Sequence, residues 1–246
     1  MISLFFKKKP KVYGDIVPIN VDMHSHILPG IDDGCKTFEQ SVELVKTFIN
    51  KGYKKLITTP HVMGDYYRNT PEIIQEKVDQ LRDIVKTSGL DIEIEAAAEY
   101  YLDESFLERI EKNEKLLSFG RKKYVLFETS YINPSPYFKH VVFSLRTQGY
   151  TPVLAHPERY VYLFNDFPAL EEMYESGVLL QVNVNSLTGY YSKQSQMIAE
   201  KLIEQQMVAF VGSDCHNEKH ARVMEAAMSR PHYQTALSLG LLNNTL

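Results

Sequence analysis

From residue 16 onward, seven short β-rich runs alternate with longer stretches of helical period. The strand candidates are 16–23 (IVPINVDM), 54–59 (KKLITT), 91–98 (DIEIEAAA), 124–129 (YVLFET), 151–155 (TPVLA), 178–184 (VLLQVNV) and 208–213 (VAFVGS). Each is followed by a helix candidate, over approximately 37–51, 70–88, 103–113, 136–148, 166–176, 191–205 and 219–229. Thr70-Pro71 supplies an N-cap and first helical residue for the second of these. Parallel strands need a crossover long enough to hold a helix, so this alternation predicts a parallel sheet covered by helices. Seven repeats predict closure into an α/β, (β/α)7 TIM-like barrel. An open doubly wound sheet is the alternative, but no G-x-G-x-x-G follows the first strand, so its commonest dinucleotide-binding form loses support. The 246 residues suit one such domain over 16–246 behind an extension over 1–15.

Charge and cysteine usage narrow the function. Twenty-seven Lys+Arg against 31 Asp+Glu leave a formal net charge of -4, so nucleic acid is not an expected partner. Two cysteines, Cys35 and Cys215, are too few for a disulfide framework, and no signal peptide is visible; a cytoplasmic location is expected. No apolar run approaches the ~20 residues needed to span a bilayer. The extension places Ile2, Leu4, Phe5 and Phe6 before Lys7, Lys8, Lys9 and Lys11. Such a segment could touch an anionic membrane surface or serve only as a solubilising tail.

The histidines carry the functional signal. Five of the eight fall just past strand ends: His24 and His26 after the first strand, His61 after the second, His156 after the fifth and His216 after the seventh. Four positions at each of seven strand ends make ~28 positions, which random placement would fill with roughly one histidine. In a parallel barrel those ends form one face, so residues distant in sequence converge there. His24 and His26, two apart on an extended strand, can reach the same ion. Carboxylates join them, with Asp32-Asp33-Gly34 in the next loop, Glu99 closing the third strand, Glu128 closing the fourth, and Asp214 two before His216. So many nitrogen and oxygen donors exceed one tetrahedral zinc site and point to two or three ions with bridging carboxylates. The bland readings are core or turn histidines and ion-paired carboxylates at the barrel end. Asp22 is either a ligand or a partner that holds an imidazole tautomer. Cys215 should pack on the opposite strand face. His140, His220 and His232 read as surface or packing residues.

The segments VDMHSHILPGIDDG (21–34), TTPH (58–61), AAAEYYLD (96–103), LFET (126–129), LAHPERY (154–160) and GSDCHN (212–217) resemble the polymerase-and-histidinol-phosphatase (PHP) superfamily. Within it they are most similar to the bacterial capsule and exopolysaccharide tyrosine-protein phosphatases of the CpsB/YwqE type. The resemblance implies a distorted barrel of about seven strands and a trinuclear site of divalent ions, commonly manganese, with iron, zinc or magnesium as alternatives. It implies His24, His26, Asp33, His61, Glu99, Glu128, His156, Asp214 and His216 as ligands. Arg159 of HPERY is implied as a phosphate-binding catalytic residue, with Arg222 as a second. The family places that second arginine slightly earlier, whereas NEKHAR delays it here. The expected substrate is a phosphotyrosine protein, the tail of a bacterial tyrosine kinase that regulates polysaccharide export.

The chemistry expected of such a site is direct hydrolysis by a metal-activated water attacking phosphorus in line. A cysteine-phosphatase loop fails on spacing, because six residues separate Cys215 from Arg222 and the loop lacks glycines that would let backbone amides cradle a phosphate. Two rivals remain. One is a PHP-type phosphomonoesterase acting on a small molecule such as histidinol phosphate; the other is a non-catalytic, metal-bound scaffold that binds phosphotyrosine.

Overall fold

The computed structural model describes residues 14–246, so the apolar and basic positions of the extension lie outside the described residues. The strands are β1 (Val21–Asp22), β2 (Lys55–Thr58), β3 (His61–Val62), β4 (Glu93–Ala96), β5 (Glu99–Tyr101), β6 (Tyr124–Glu128), β7 (Thr151–Leu154), β8 (Leu179–Asn183) and β9 (Val208–Gly212). All their pairings are parallel, in the orders β1-β2-β4 and β3-β5-β6-β7-β8-β9. The helices are α1 (Phe38–Asn50), α2 (Pro71–Thr87), α3 (Glu104–Glu111), α4 (Phe138–Thr147), α5 (Phe167–Glu175), α6 (Lys193–Glu204), α7 (Glu218–Met228) and α8 (Pro231–Leu237).

Nine strands resolve into the seven expected ones. β2 and β3 are halves of one strand interrupted at Thr59-Pro60, where proline has no N–H to give the ladder. β4 and β5 are likewise halves, separated by Ala97-Ala98. The pairing continues across the breaks, since Ala97 N donates to Thr58 O at 2.8 Å and Glu99 N to Pro60 O at 3.1 Å. Closure comes from the chain beyond β1 and β9. Ser25 pairs in parallel with Cys215, Asp214 N donates to His24 O at 2.8 Å, and His26 N to Cys215 O at 3.0 Å. Asp22 reinforces this seam by accepting from Ser213 N and Ser213 Oγ, each at 2.9 Å.

One expected element differs and one further helix is present. Only the end of the 16–23 run is strand, because the chain ahead of it bonds elsewhere: Gly14 N donates to Ser238 O and Val17 N to Leu237 O. An eighth helix follows α7, started by Pro231 in its first turn, where a missing N–H costs nothing.

The helices form where apolar spacing and caps agree. α2 buries Ile74, Val78, Leu81 and Val85 along one stripe, and the Thr70 hydroxyl accepts from Ile73 N at its start. Inside the ring, Met23, Ile57, Ala97, Leu126, Val153 and Phe210 form a packed apolar floor. Above that floor lie the strand C-termini.

Candidate metal centre

All nine expected ligands converge at those C-termini, in four overlapping groups whose donor atoms lie within 4.8 Å of one another. The groups are His26/Asp33/His61/His216, His24/His26/Glu99, His24/His156/Asp214 and His61/Glu99/Glu128. Glu99 is the hub. Its Oε2 lies 3.2 Å from His24 Nε2, 3.3 Å from His26 Nε2 and 3.2 Å from His61 Nδ1, while its Oε1 lies 3.0 Å from His156 Nε2.

Local backbone brings these groups together. His156 and Asp214, each just past a strand, adopt φ of 33° and 48°, a left-handed conformation costing a non-glycine residue about 1–2 kcal/mol. Gly34 permits the D-D-G loop to fold against the first strand, because a Cβ there would sit 2.0 Å from His26 O. Several ring nitrogens are held from behind. His26 Nδ1 lies 2.8 Å from Asp32 Oδ2, His24 Nδ1 2.9 Å from Gln181 Oε1, and His216 Nδ1 2.9 Å from Asp214 O. In each of these rings Nε2 remains for the cluster.

The donor chemistry fits divalent cations. His24 Nε2 and His26 Nε2 face each other at 3.2 Å with the opposite nitrogen of each ring already engaged. Buried Glu99 Oε2, Glu128 Oε2 and His61 Nδ1 have no hydrogen-bond partner. Bare acceptors packed this closely need positive charge between them. Burial also pushes Glu128 well above the carboxylate range, reinforced by the Glu99 charge. Glu99 goes the other way, because His24 and His61 outweigh its burial. Burial lowers His156 to about 4, so this imidazole is neutral at pH 7 with a lone pair to offer.

Over the cluster opens a cavity of about 690 Å³. Six tyrosines line it: Tyr66, Tyr67, Tyr101, Tyr131, Tyr190 and Tyr191. Arg159 enters beside them, its guanidinium 4.1 Å from the Tyr191 ring centre and 4.9 Å from that of Tyr131. Its Nη1 donates to Asp214 Oδ2 at 2.7 Å.

Residues 20–232 match the family described as capsular polysaccharide synthesis, CpsB/CapC. The chain belongs to this family. Tyrosine-protein phosphatase YwqE of Bacillus subtilis (strain 168) is 31% identical over 199 residues, 81% of this chain and 78% of that protein. Tyrosine-protein phosphatase CpsB of Streptococcus pneumoniae is 30% identical over 207 residues, 80% of this chain and 83% of that one. Crystal structures of YwqE and CpsB, described as unique metal-dependent tyrosine phosphatases, supply a match with a TM-score of 0.78 and 28% identity, covering 92% of this chain and 94% of that chain. An amidohydrolase from Mycoplasma synoviae, 10% identical with a TM-score of 0.53 over 95% of this chain and 91% of that one, shares the fold alone.

In this CpsB/CapC protein some expected roles move. Arg222 is not brought to the cavity; it lies on the outer side of α7, its side chain 73% exposed and paired with Glu218 at 3.5 Å. Asp22 holds no imidazole and instead ties the barrel seam through Ser213. Cys215 packs in the core, and burial pushes its thiol well above the ordinary range. His220 borders the cavity with its Nδ1 3.1 Å from Asp214 O, while His140 is exposed and His232 pairs with Glu204. Sequence reasoning did not find Gln181, Asn183, the tyrosine wall or the Asp32 contact to His26. A signal existed for the first two, which are polar residues at alternate positions of an otherwise apolar strand.

Proposed function

We propose that this chain is a metal-dependent protein-tyrosine phosphatase that hydrolyses phosphotyrosine with water and without a phosphoenzyme. The observation that carries the reading is the nine-ligand cluster forming the floor of a tyrosine-walled cavity that Arg159 enters. Divalent ions held there would make a water acidic enough to act as nucleophile and would offset charge on the phosphoryl group. Manganese is the ion we assign, since four of the nine donors are hard carboxylates and none is a thiolate.

The chain's own residues supply binding and orientation. Arg159 is fixed by Asp214 and by two aromatic faces, and its guanidinium makes no other hydrogen bond among the described residues. It therefore has donors to spare for equatorial phosphoryl oxygens. The tyrosine walls give an aromatic leaving group apolar surface and exclude water around it. No side-chain nucleophile is required, and Cys215 is buried with a thiol that resists ionisation.

The phosphorylated protein we assign is the tail of a bacterial tyrosine kinase in polysaccharide export, supported by the family's tie to capsular polysaccharide synthesis. The catalytic unit we take as one domain over 16–246, supported by the continuous family match and the closed strand ring. A cytoplasmic setting agrees with both cysteines being free thiols. Among the described residues, no helix is long and apolar enough to cross a membrane.

The test compares kcat/KM of the manganese-loaded protein on a phosphotyrosyl peptide and on histidinol phosphate. Preference for the peptide is expected. Preference for histidinol phosphate would make the chain a small-molecule phosphomonoesterase, and peptide binding without turnover of either would make it a scaffold.

A further inference from the structure

Six of the seven strands in the ring deliver a candidate ligand at or beyond their C-terminal ends. β8 delivers two fully buried amides instead, Gln181 and Asn183. Alternation along the strand puts both on one face. A register shift between Leu180 and Gln181 marks the pairing with β9 at this point, and such irregularities re-aim side chains. Gly212 on β9 makes the room, because a Cβ there would lie 2.9 Å from Gln181 Nε2 and 2.8 Å from His24 Cβ.

The amides form a directed run between two metal-ligand candidates. Asn183 Nδ2 donates to Asp214 Oδ2 at 2.7 Å, Gln181 Nε2 donates to Asn183 Oδ1 at 2.8 Å, and Gln181 Oε1 lies 2.9 Å from His24 Nδ1. Each orientation follows from the one before. Ionised Asp214 only accepts, so Asn183 must turn its NH2 toward it. Its carbonyl oxygen then takes the NH2 of Gln181, whose own oxygen requires a proton on His24 Nδ1. His24 Nε2 is thereby left with the lone pair, facing the cluster. Behind Asn183, Glu158 Oε1 accepts from its backbone N at 2.9 Å and from Ser186 Oγ at 2.6 Å, which fixes the strand end.

We propose that Gln181 and Asn183 are positioning residues that lock the tautomer of His24 to the orientation of Asp214 and so set the affinity of the ion held by His24, His156 and Asp214. The proposal rests on reading these three as metal ligands and is independent of the substrate.

The test uses chelator-stripped full-length protein titrated with manganese, with bound metal counted by mass spectrometry. Imidazole nitrogen NMR of the zinc-loaded protein reports the His24 tautomer. Gln181→Leu removes the side-chain bonds to His24 and Asn183, together with a longer one from His156 N at 3.4 Å, and is expected to weaken one ion about 10–100-fold, the range for losing such an outer partner, while His24 loses its fixed Nδ1–H form. Gln181→Glu keeps the acceptor toward His24 and is expected to keep that tautomer. Wild-type metal count and affinity in Gln181→Leu, with His24 still Nδ1-protonated, would overturn the proposal. If Gln181→Leu does not fold, Gln181→Glu decides, and loss of the tautomer there overturns it. A wild-type protein that takes up no manganese would defeat the metal reading itself, a result seen before any variant is made.

Discussion

Arg159 is held before any substrate arrives, by a charge-assisted bond to Asp214 and by the faces of Tyr131 and Tyr191. Burial alone would disfavour its charge, but the Asp214 carboxylate outweighs that and raises its affinity for the proton further. In the proposed reaction a cation fixed in this way would need no rearrangement when phosphoryl charge develops, so its contribution would fall on the transition state. Arg159→Ala should keep the bound metal, since Asn183 still holds Asp214 Oδ2, and should lower kcat/KM by about 2–4 kcal/mol of transition-state stabilisation. Metal analysis beside phosphotyrosyl peptide kinetics checks this; an unchanged kcat/KM would make the arginine structural. That the nine candidate ligands and Arg159 come together was legible because each sits within a few residues of a strand end, where topology forces convergence. Arg222 misled because its place on the circumference of α7 is set by where that helix begins, at Glu218.

At the scale of elements, the joint between β1 and β9 decides whether the strands close. Ser213 donates two bonds to Asp22 there, and burial nevertheless pushes that carboxyl up to about 7. Ser213→Ala leaves a buried carboxyl oxygen without its donor. The expected cost is about 1–3 kcal/mol, read as a lower urea midpoint at unchanged m-value. An unaltered midpoint would show that the seam is held by backbone pairing alone. The seven strand–helix units were readable because burial on both faces of a parallel strand leaves nearly continuous apolar runs. The interruption at Ala97-Ala98 was not, because nothing in that apolar run marks a break, whereas Pro60 marks the other by its missing N–H. Pro231 was ambiguous in sequence, since the residue that bars helix interiors also starts helices. The amides of β8 showed in the sequence only as polar residues at alternate positions of an apolar strand. Their meaning appears only once His24 and Asp214 are placed beside them.

Across the whole molecule, buried tyrosines couple stability to alkaline pH. Burial raises Tyr100 and Tyr233 to about 12 from 10.0 and pushes Tyr53, Tyr131, Tyr160 and Tyr191 well above that ordinary value. A group raised in the folded state contributes stability that is complete below its unfolded pKa and lost as pH climbs through the folded one. Folding stability should therefore fall between pH 10 and 12, by about 2–3 kcal/mol for each of Tyr100 and Tyr233. Urea unfolding at stepped pH and tyrosinate absorbance should report this together. Complete titration near pH 10 in a protein that stays folded would contradict it. The central claim is that ions bound by the nine-ligand cluster make phosphotyrosine hydrolysis by water feasible, and its most direct test is manganese add-back to chelator-stripped protein. Bound metal per chain and phosphotyrosyl peptide turnover are measured on the same samples. Turnover should be absent in stripped protein and rise as the cluster fills, reaching its plateau at two or three ions per chain. Turnover that persists without bound metal, or a filled cluster that hydrolyses nothing, would contradict the account.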